Sequence, residues 1–290
     1  MASLEVKHLV KDFRLQGGRG KRFRAVDDVS FTLEPGKTIA LVGESGSGKS
    51  TIARMIAKLE TPSSGDILLD GKVSATRGRG LAAYRHDVQM VFQDPFASLN
   101  PFHTIQHHLE RPLRLHGRVK GQAEADAEVE RLLERVSLTP ASGYARRSPH
   151  ELSGGQRQRV AIARALAPGA RFLVADEPVS MLDVSIRLSV LNLLARLQRE
   201  DNLGVLYITH DLATARHFSD EIILLGGHDH VVERGPADDV IMNPQHEYTK
   251  LLLSAAPNPE NHGRLRAEVL AEMSLGPQDA GRDRFGTRGM

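Results

Sequence analysis

Thr38-Ile39-Ala40-Leu41-Val42 leads into Gly43-Glu44-Ser45-Gly46-Ser47-Gly48-Lys49-Ser50, which is followed by Thr51-Ile52-Ala53-Arg54-Met55-Ile56. An apolar run, a glycine-rich loop ending in Gly-Lys-Ser and an apolar-periodic segment give the strand, loop and helix order that a Walker A phosphate loop requires. Glycines there let backbone N–H groups turn inward on a β-phosphate, and the helix N-terminus adds positive potential. The candidate phosphate contacts are Gly43, Ser45, Gly46, Ser47, Gly48, Lys49, Ser50 and Thr51. Lys49 is expected to reach the β- and γ-phosphates, and Ser50 to offer its hydroxyl to Mg2+. An ordinary glycine turn would account for the loop but not for its flanks. The stretch therefore reads as a nucleotide site in an α/β protein.

A second loop, Leu152-Ser153-Gly154-Gly155-Gln156, precedes Arg157 to Leu166, an amphipathic helix whose N-terminus points at whatever the glycines hold. Alone it is weak, since Ser-Gly-Gly is common in turns. Phe172-Leu173-Val174-Ala175-Asp176-Glu177 is an apolar strand ending in two carboxylates, the Walker B arrangement. Asp176 would hold Mg2+ through its water shell, and Glu177 would act as general base on the attacking water. An Asp-Glu pair after a strand can equally be a helix cap with a solvated neighbour; Pro178 and the phosphate loop favour the catalytic reading. Gln93 follows Val91-Phe92, and His210 follows Ile208-Thr209, where strands of an open α/β sheet deliver residues to the ligand crevice. His210 is placed as a γ-phosphate contact. His103, His107 and His108 have metal-like spacing without companion carboxylates and are read as structural.

The chain has 290 residues, 40% of them hydrophobic, enough for one large domain or two smaller ones. Its formal net charge of +2 gives no argument for nucleic acid or an anionic membrane as partner. The absence of cysteine excludes disulfides, a thiolate nucleophile and cysteine-ligated metal sites, and suits a reducing compartment. No apolar run approaches the ~20 residues of a membrane span, and Met1 to Lys7 does not read as a signal peptide, so a cytoplasmic location is expected.

Leu4 to Val10 and Ala25 to Leu33 read as strands, with a solvated basic loop from Gly17 to Arg22 between them. Asp66 to Leu69 reads as another strand. From about Ser98 to Pro149 the pattern turns helical: Leu109, Leu113 and Leu115, then Val129, Leu132, Leu133 and Val136, recur at helical spacing and predict an inserted helical subdomain. Arg171 to Ala175 and Leu203 to Ile208 read as buried parallel strands. After Pro257 periodicity is lost, and a loosely held tail is expected.

In this order, from about residue 4 to 235, these elements resemble the nucleotide-binding subunit of an ATP-binding cassette importer. The resemblance implies a P-loop NTPase: a RecA-like core with an antiparallel β subdomain, an inserted helical subdomain at about 98–158, and a C-terminal extension over 236–290. It implies ATP and Mg2+ as cofactors, with Ser50, Gln93 and Asp176 around the metal. It also implies that Ser153, Gly155 and Gln156 contact the γ-phosphate bound to an opposite subunit, that Asp183 in Ser180-Met181-Leu182-Asp183 lies at that interface, and that Phe13 stacks on adenine, Phe23 being a weaker claimant. The implied partners are a second nucleotide-binding subunit, the same or paralogous, two transmembrane permease subunits and, indirectly, an extracytoplasmic solute-binding protein. The implied location is peripheral, on the cytoplasmic face of the inner membrane.

Phe92 to Pro101 and Asn243 to Leu252 resemble the oligopeptide/dipeptide importer subfamily, which includes nickel and oligosaccharide systems. Met181 stands where alanine is usual and resembles the oligosaccharide-type members, and the tail lacks the cysteine cluster of many relatives. A DNA-repair cassette ATPase would place a long coiled coil between Lys49 and Ser153, a translation-type factor would carry two cassettes, and a P-loop kinase has no use for Leu152 to Gln156. An exporter subunit is opposed by the subfamily resemblance alone. The expectation is ATP hydrolysis coupled to import of oligopeptides, dipeptides or a related solute such as oligosaccharides.

Overall fold

The computed structural model describes residues 2–14, 22–227 and 230–255. Strands β1 (Leu4–Arg14) and β2 (Arg22–Leu33) pair antiparallel, and β3 (Thr38–Gly43) leads through the glycine loop into helix α1 (Lys49–Ile56). Then follow β4 (Ser64–Leu69), β5 (Lys72–Val73), α2 (Gly78–Asp87), β6 (Val88–Val91) and the single turn α3 (Pro95–Ser98). Helices α4 (Ile105–Leu115), α5 (Gln122–Arg135), α6 (Ala141–Ala145) and α7 (Gly154–Leu166) separate β6 from β7 (Phe172–Asp176). The remainder is α8 (Val184–Glu200), β8 (Gly204–Thr209), α9 (Leu212–Phe218), β9 (Glu221–Leu225), β10 (Val231–Pro236), α10 (Ala237–Met242) and α11 (Glu247–Ala255).

Two sheets result. The smaller is antiparallel in the order β2-β1-β4-β5; the larger runs β10-β9-β3-β8-β7-β6, parallel except for the edge strand β10. This is the α/β class with an antiparallel β subdomain that the sequence predicts. The central strands read as unbroken apolar runs because both their faces are covered. Ile39 and Leu41 of β3, Phe172 and Val174 of β7, and Leu206 and Ile208 of β8 join a core with α1 and the smaller sheet. Their neighbours Ala40, Val42, Leu173, Ala175, Val205 and Tyr207 point the other way, into a core built with α4, α5, α7 and α8. The period-2 alternation of a strand thus feeds two cores from one sequence run.

Several expectations are adjusted. β1 does not stop at Val10, because a left-handed residue, His8 (φ 49°), and register shifts break its alternation while pairing continues to Phe13 opposite Phe23. Leu109, Leu113, Val129, Leu132, Leu133 and Val136 are all core, but Leu115 is 78% exposed, since two residues past Leu113 is the opposite side of a helix. Gly17 to Lys21 and the tail beyond Ala255 lie outside the described residues. Among the described residues no helix is long and apolar enough to cross a membrane.

Candidate active site

Parallel pairing brings several chain segments to one edge of the large sheet. Val42 pairs with Thr209, Asp176 with Ile208 and Val91 with Ala175, so the carboxyl ends of β3, β6, β7 and β8 deliver the Gly43 loop, Gln93, Glu177 and His210 to the same place. This edge is where open α/β sheets bind ligands.

The loop itself is shaped by close approach. Gly48 has φ 87°, caps α1 without a side chain, and a Cβ on it would lie 2.2 Å from the Ala25 carbonyl oxygen of β2. Only glycine fits. The first N–H groups of α1 have no side-chain cap and remain available to an anion. Lys49 is 4% exposed; its ammonium donates to the carbonyls of Gly43 (2.7 Å) and Glu44 (2.6 Å) and lies 3.3 Å from Ser47 Oγ. Burial pushes the Lys49 ammonium below the ordinary lysine range, opposed by the Glu177, Asp176 and Glu44 carboxylates.

Asp176, 4% exposed, accepts from the Ser50 hydroxyl at 3.1 Å. Burial raises its carboxyl above the usual carboxylate range; the Ser50 bond opposes the shift and the Glu177 charge adds to it. Glu177 takes a left-handed conformation (φ 43°), its N–H donating to the Ile208 carbonyl at 3.0 Å. Such a conformation in a non-glycine residue costs about 1–2 kcal/mol and aims the side chain off the strand axis. Two side chains approach its carboxylate: Gln93 Nε2 donates to one oxygen at 2.9 Å, and His210 Nδ1 lies 3.4 Å from the other. Beside them Arg54, Phe92, Gln93, Asp94 and Asp176 line a cleft of about 380 Å3.

The structure thus gathers Gly43 to Ser50, Gln93, Asp176, Glu177 and His210. It does not bring Ser153, Gly155, Gln156 or Asp183 into that group. Ser153 and Gln156 close a capping box on α7, Ser153 Oγ accepting from Gln156 N and Gln156 Oε1 from Ser153 N, while Gln156 Nε2 donates to the Tyr144 hydroxyl at 3.1 Å. Gly155 has a packing reason of its own: a Cβ there would sit 2.5 Å from Ile186 Cγ2. Asp183 is exposed at the start of α8 and its side chain makes no capping bond. Phe13 and Phe23 face each other across β1 and β2, 37% and 49% exposed, on the hairpin whose Ala25 touches Gly48. Sequence reasoning missed Tyr144 as the partner of Gln156 and Arg54 as a lining residue. Neither carries a local signal; each is placed by tertiary packing.

Residues 26–180 match the family described as ABC transporter, and residues 232–282 match the oligopeptide/dipeptide transporter, C-terminal region. The glutathione import ATP-binding protein GsiA of Escherichia coli O157:H7 is 48% identical over 279 residues, covering 94% of this chain and 44% of that protein. The protein of the same name from Pectobacterium atrosepticum is 45% identical over 273 residues, covering 92% and 43% respectively. The chain therefore spans less than half the length of these curated relatives. Among solved structures, the dimeric bacterial ABC transporter cassette MJ0796 superposes with a TM-score of 0.70 at 30% identity, covering 81% of this chain and 98% of that one. With its phosphate loop, strand-end carboxylates and second glycine loop in this order, the chain belongs to the ABC transporter family.

Proposed function

We propose that the chain binds and hydrolyses ATP and energises uptake of a small peptide or related solute through separate membrane subunits. The observation that carries this reading is Glu177, bonded by Gln93 and with His210 Nδ1 3.4 Å from its other oxygen, beside the buried Lys49 cradle. The relatives reported above are named as glutathione import proteins, and residues 232–282 match an oligopeptide/dipeptide region, which favours a peptide cargo. Met181 alone points toward a sugar.

The residues present fit a hard divalent cation. Ser50 and Asp176 offer a hydroxyl and a carboxylate oxygen 3.1 Å apart, and Gln93 adds an amide oxygen at the same sheet edge. These three would hold Mg2+, which supplies charge neutralisation on the transferring phosphoryl group. Lys49, now bonded to two loop carbonyls, exchanges them for the β- and γ-phosphate oxygens. Glu177 takes the proton of the water that attacks the γ-phosphorus, the bond to the β-phosphate oxygen breaks, and ADP and phosphate leave. His210 and Gln93 orient the carboxylate for that transfer. Phe13 or Phe23 stacks on the adenine.

The other partners follow from surfaces. Met181, Val184 and Leu188 are 54%, 80% and 52% exposed around Asp183, an apolar face that suits a second cassette subunit. The exposed Leu115 lines a hollow of about 780 Å3 between β6 and α4, and Phe102 is exposed in the turn before α4; both suit docking on membrane permease subunits at the cytoplasmic face.

Glu177→Gln tests the base. The amide keeps the shape and cannot take the proton, so ATP affinity should hold while turnover falls by about 10²–10⁴-fold. Steady-state hydrolysis near the parent rate would remove Glu177 from this role.

A further inference from the structure

Gln93 and the Ser153 loop stand on different parts of the molecule, yet one short segment is tied to both. Asp94 caps α3 by accepting from the N–H groups of Phe96 (2.7 Å) and Ala97 (3.1 Å), with Pro95 at the helix start. Whatever moves Gln93 therefore moves a stiff turn. That turn is fastened to α7 at two points. The Phe96 ring lies 4.2 Å from the Arg157 guanidinium in cation–π geometry, and Arg164 Nη1 donates to the Ser98 carbonyl at 2.5 Å. Seven residues separate the two arginines, so both lie on one face of α7, two turns apart. Arg157 keeps a buried Nε with no hydrogen bond, and its Nη2 makes only a long bond to the His150 carbonyl at 3.4 Å. Beside that long bond, the Phe96 ring is the guanidinium's partner. A Cβ on Gly154 would meet Leu182 at 3.4 Å and Phe96 at 3.8 Å, so the ring edge, the Ser153 loop and the segment after Glu177 converge at one point. Leu99, in the same Phe92 to Pro101 stretch, is 2% exposed and belongs to the core, whereas Phe96 is half-exposed and its ring is available to Arg157.

We propose that Phe96 and Arg157 are positioning residues that strap the Gln93 turn onto the helix following Ser153, so that both move as one body when nucleotide binds. The inference rests on the ATPase reading above. Without the strap, a displacement of Gln93 would reach the Ser153 loop only through the Arg164–Ser98 bond two turns further along α7 and the packing of the helical layer, and the change in one site would bias the other more weakly.

The chain contains no cysteine, so spin labels introduced at Ala127→Cys on α5 and Asp239→Cys on α10 report the distance between the helical layer and the large sheet. A non-hydrolysable ATP analogue should shift the distance distribution of the labelled parent. Phe96→Ala and Arg157→Met should still bind the analogue, with affinity lowered by no more than the equilibrium constant for the shift, which falls about two- to thirtyfold, the span of cation–π contacts. Phe96→Tyr should restore the shift, and the double variant should be no worse than either single one. A parent that shifts while both single variants shift equally overturns the strap, as does a parent that binds the analogue without shifting. A parent that binds no nucleotide overturns the ATPase reading instead.

Discussion

A methyl group on residue 155 would sit 2.5 Å from Ile186 Cγ2, which sets two effects against each other. Replacing a helical glycine by alanine normally gains about 0.5–1 kcal/mol. Overpacking a well-filled contact costs about 1–3 kcal/mol. The clash is with a branched methyl that cannot swing away, so the cost prevails, and Gly155→Ala should unfold at lower urea than the parent. Ile186→Ala removes that methyl. The double variant should therefore be more stable than the sum of the single effects, by a coupling of about 0.5–3 kcal/mol. Strict additivity in urea unfolding would show that α8 yields instead. A glycine chosen for packing and a glycine chosen for a phosphate on another subunit look identical in sequence, and only the neighbour from α8 separates the two demands.

Elements whose burial is set by their own residues were legible, and those placed by distant partners were not. β3, β7 and β8 announce themselves because both faces are covered, and the candidate residues Lys49, Asp176, Glu177 and His210 lie at or just past their ends, as Gln93 does past β6. The extension of β1 to Phe13, the exposure of Leu115 and the burial of Leu99 depend on bulges and on which helix packs where. The anchoring of α11 belongs with these. Glu233 on β10 accepts from the N–H groups of Gln245 (2.8 Å) and His246 (3.0 Å) and from the Thr249 hydroxyl, pinning the turn before α11 and the helix itself. Burial would raise its carboxyl, but those bonds prevail and hold it below the usual range. A depressed folded value means the stabilisation is fully present above the unfolded value of about 4.3 and disappears as pH falls through the lower folded one. The protection factors of the Glu247–Ala255 amides, rates taken relative to the unstructured chain at the same pH, should stay constant from neutrality to about pH 5 and fall below about pH 4, ahead of the large sheet. Glu233→Ala should show the lowered protection already at neutrality. Protection of α11 that survives at pH 3 would mean that apolar packing of Leu252 and Leu253 holds the helix without Glu233.

At the scale of the whole molecule, the Lys49 loop lies at one edge of the large sheet while Ser153 and Gln156 engage each other and Tyr144 on the helical layer. On the proposed ATPase reading one chain would offer half of two sites, and the exposed apolar residues Met181, Val184 and Leu188 beside Asp183 suit contact with a second copy. A two-fold arrangement of two copies would make each contact reciprocal: the Ser153 loop of either copy would close on the phosphates held by the other's Lys49. Lys49→Ala and Ser153→Ala chains should each be inactive alone. Mixed in equal amounts, half the dimers are hetero-assembled; each has one site carrying both lesions and one carrying neither, so independent sites would recover about a quarter of parental hydrolysis. Val184→Glu in both chains should abolish that recovery by placing like charges across the face, while each chain keeps its own affinity for nucleotide. Measured over a range of mixing ratios, hydrolysis should rise to a maximum at equal amounts. A flat line at the level of the separate variants would mean that the Ser153 loop serves no second copy of this chain.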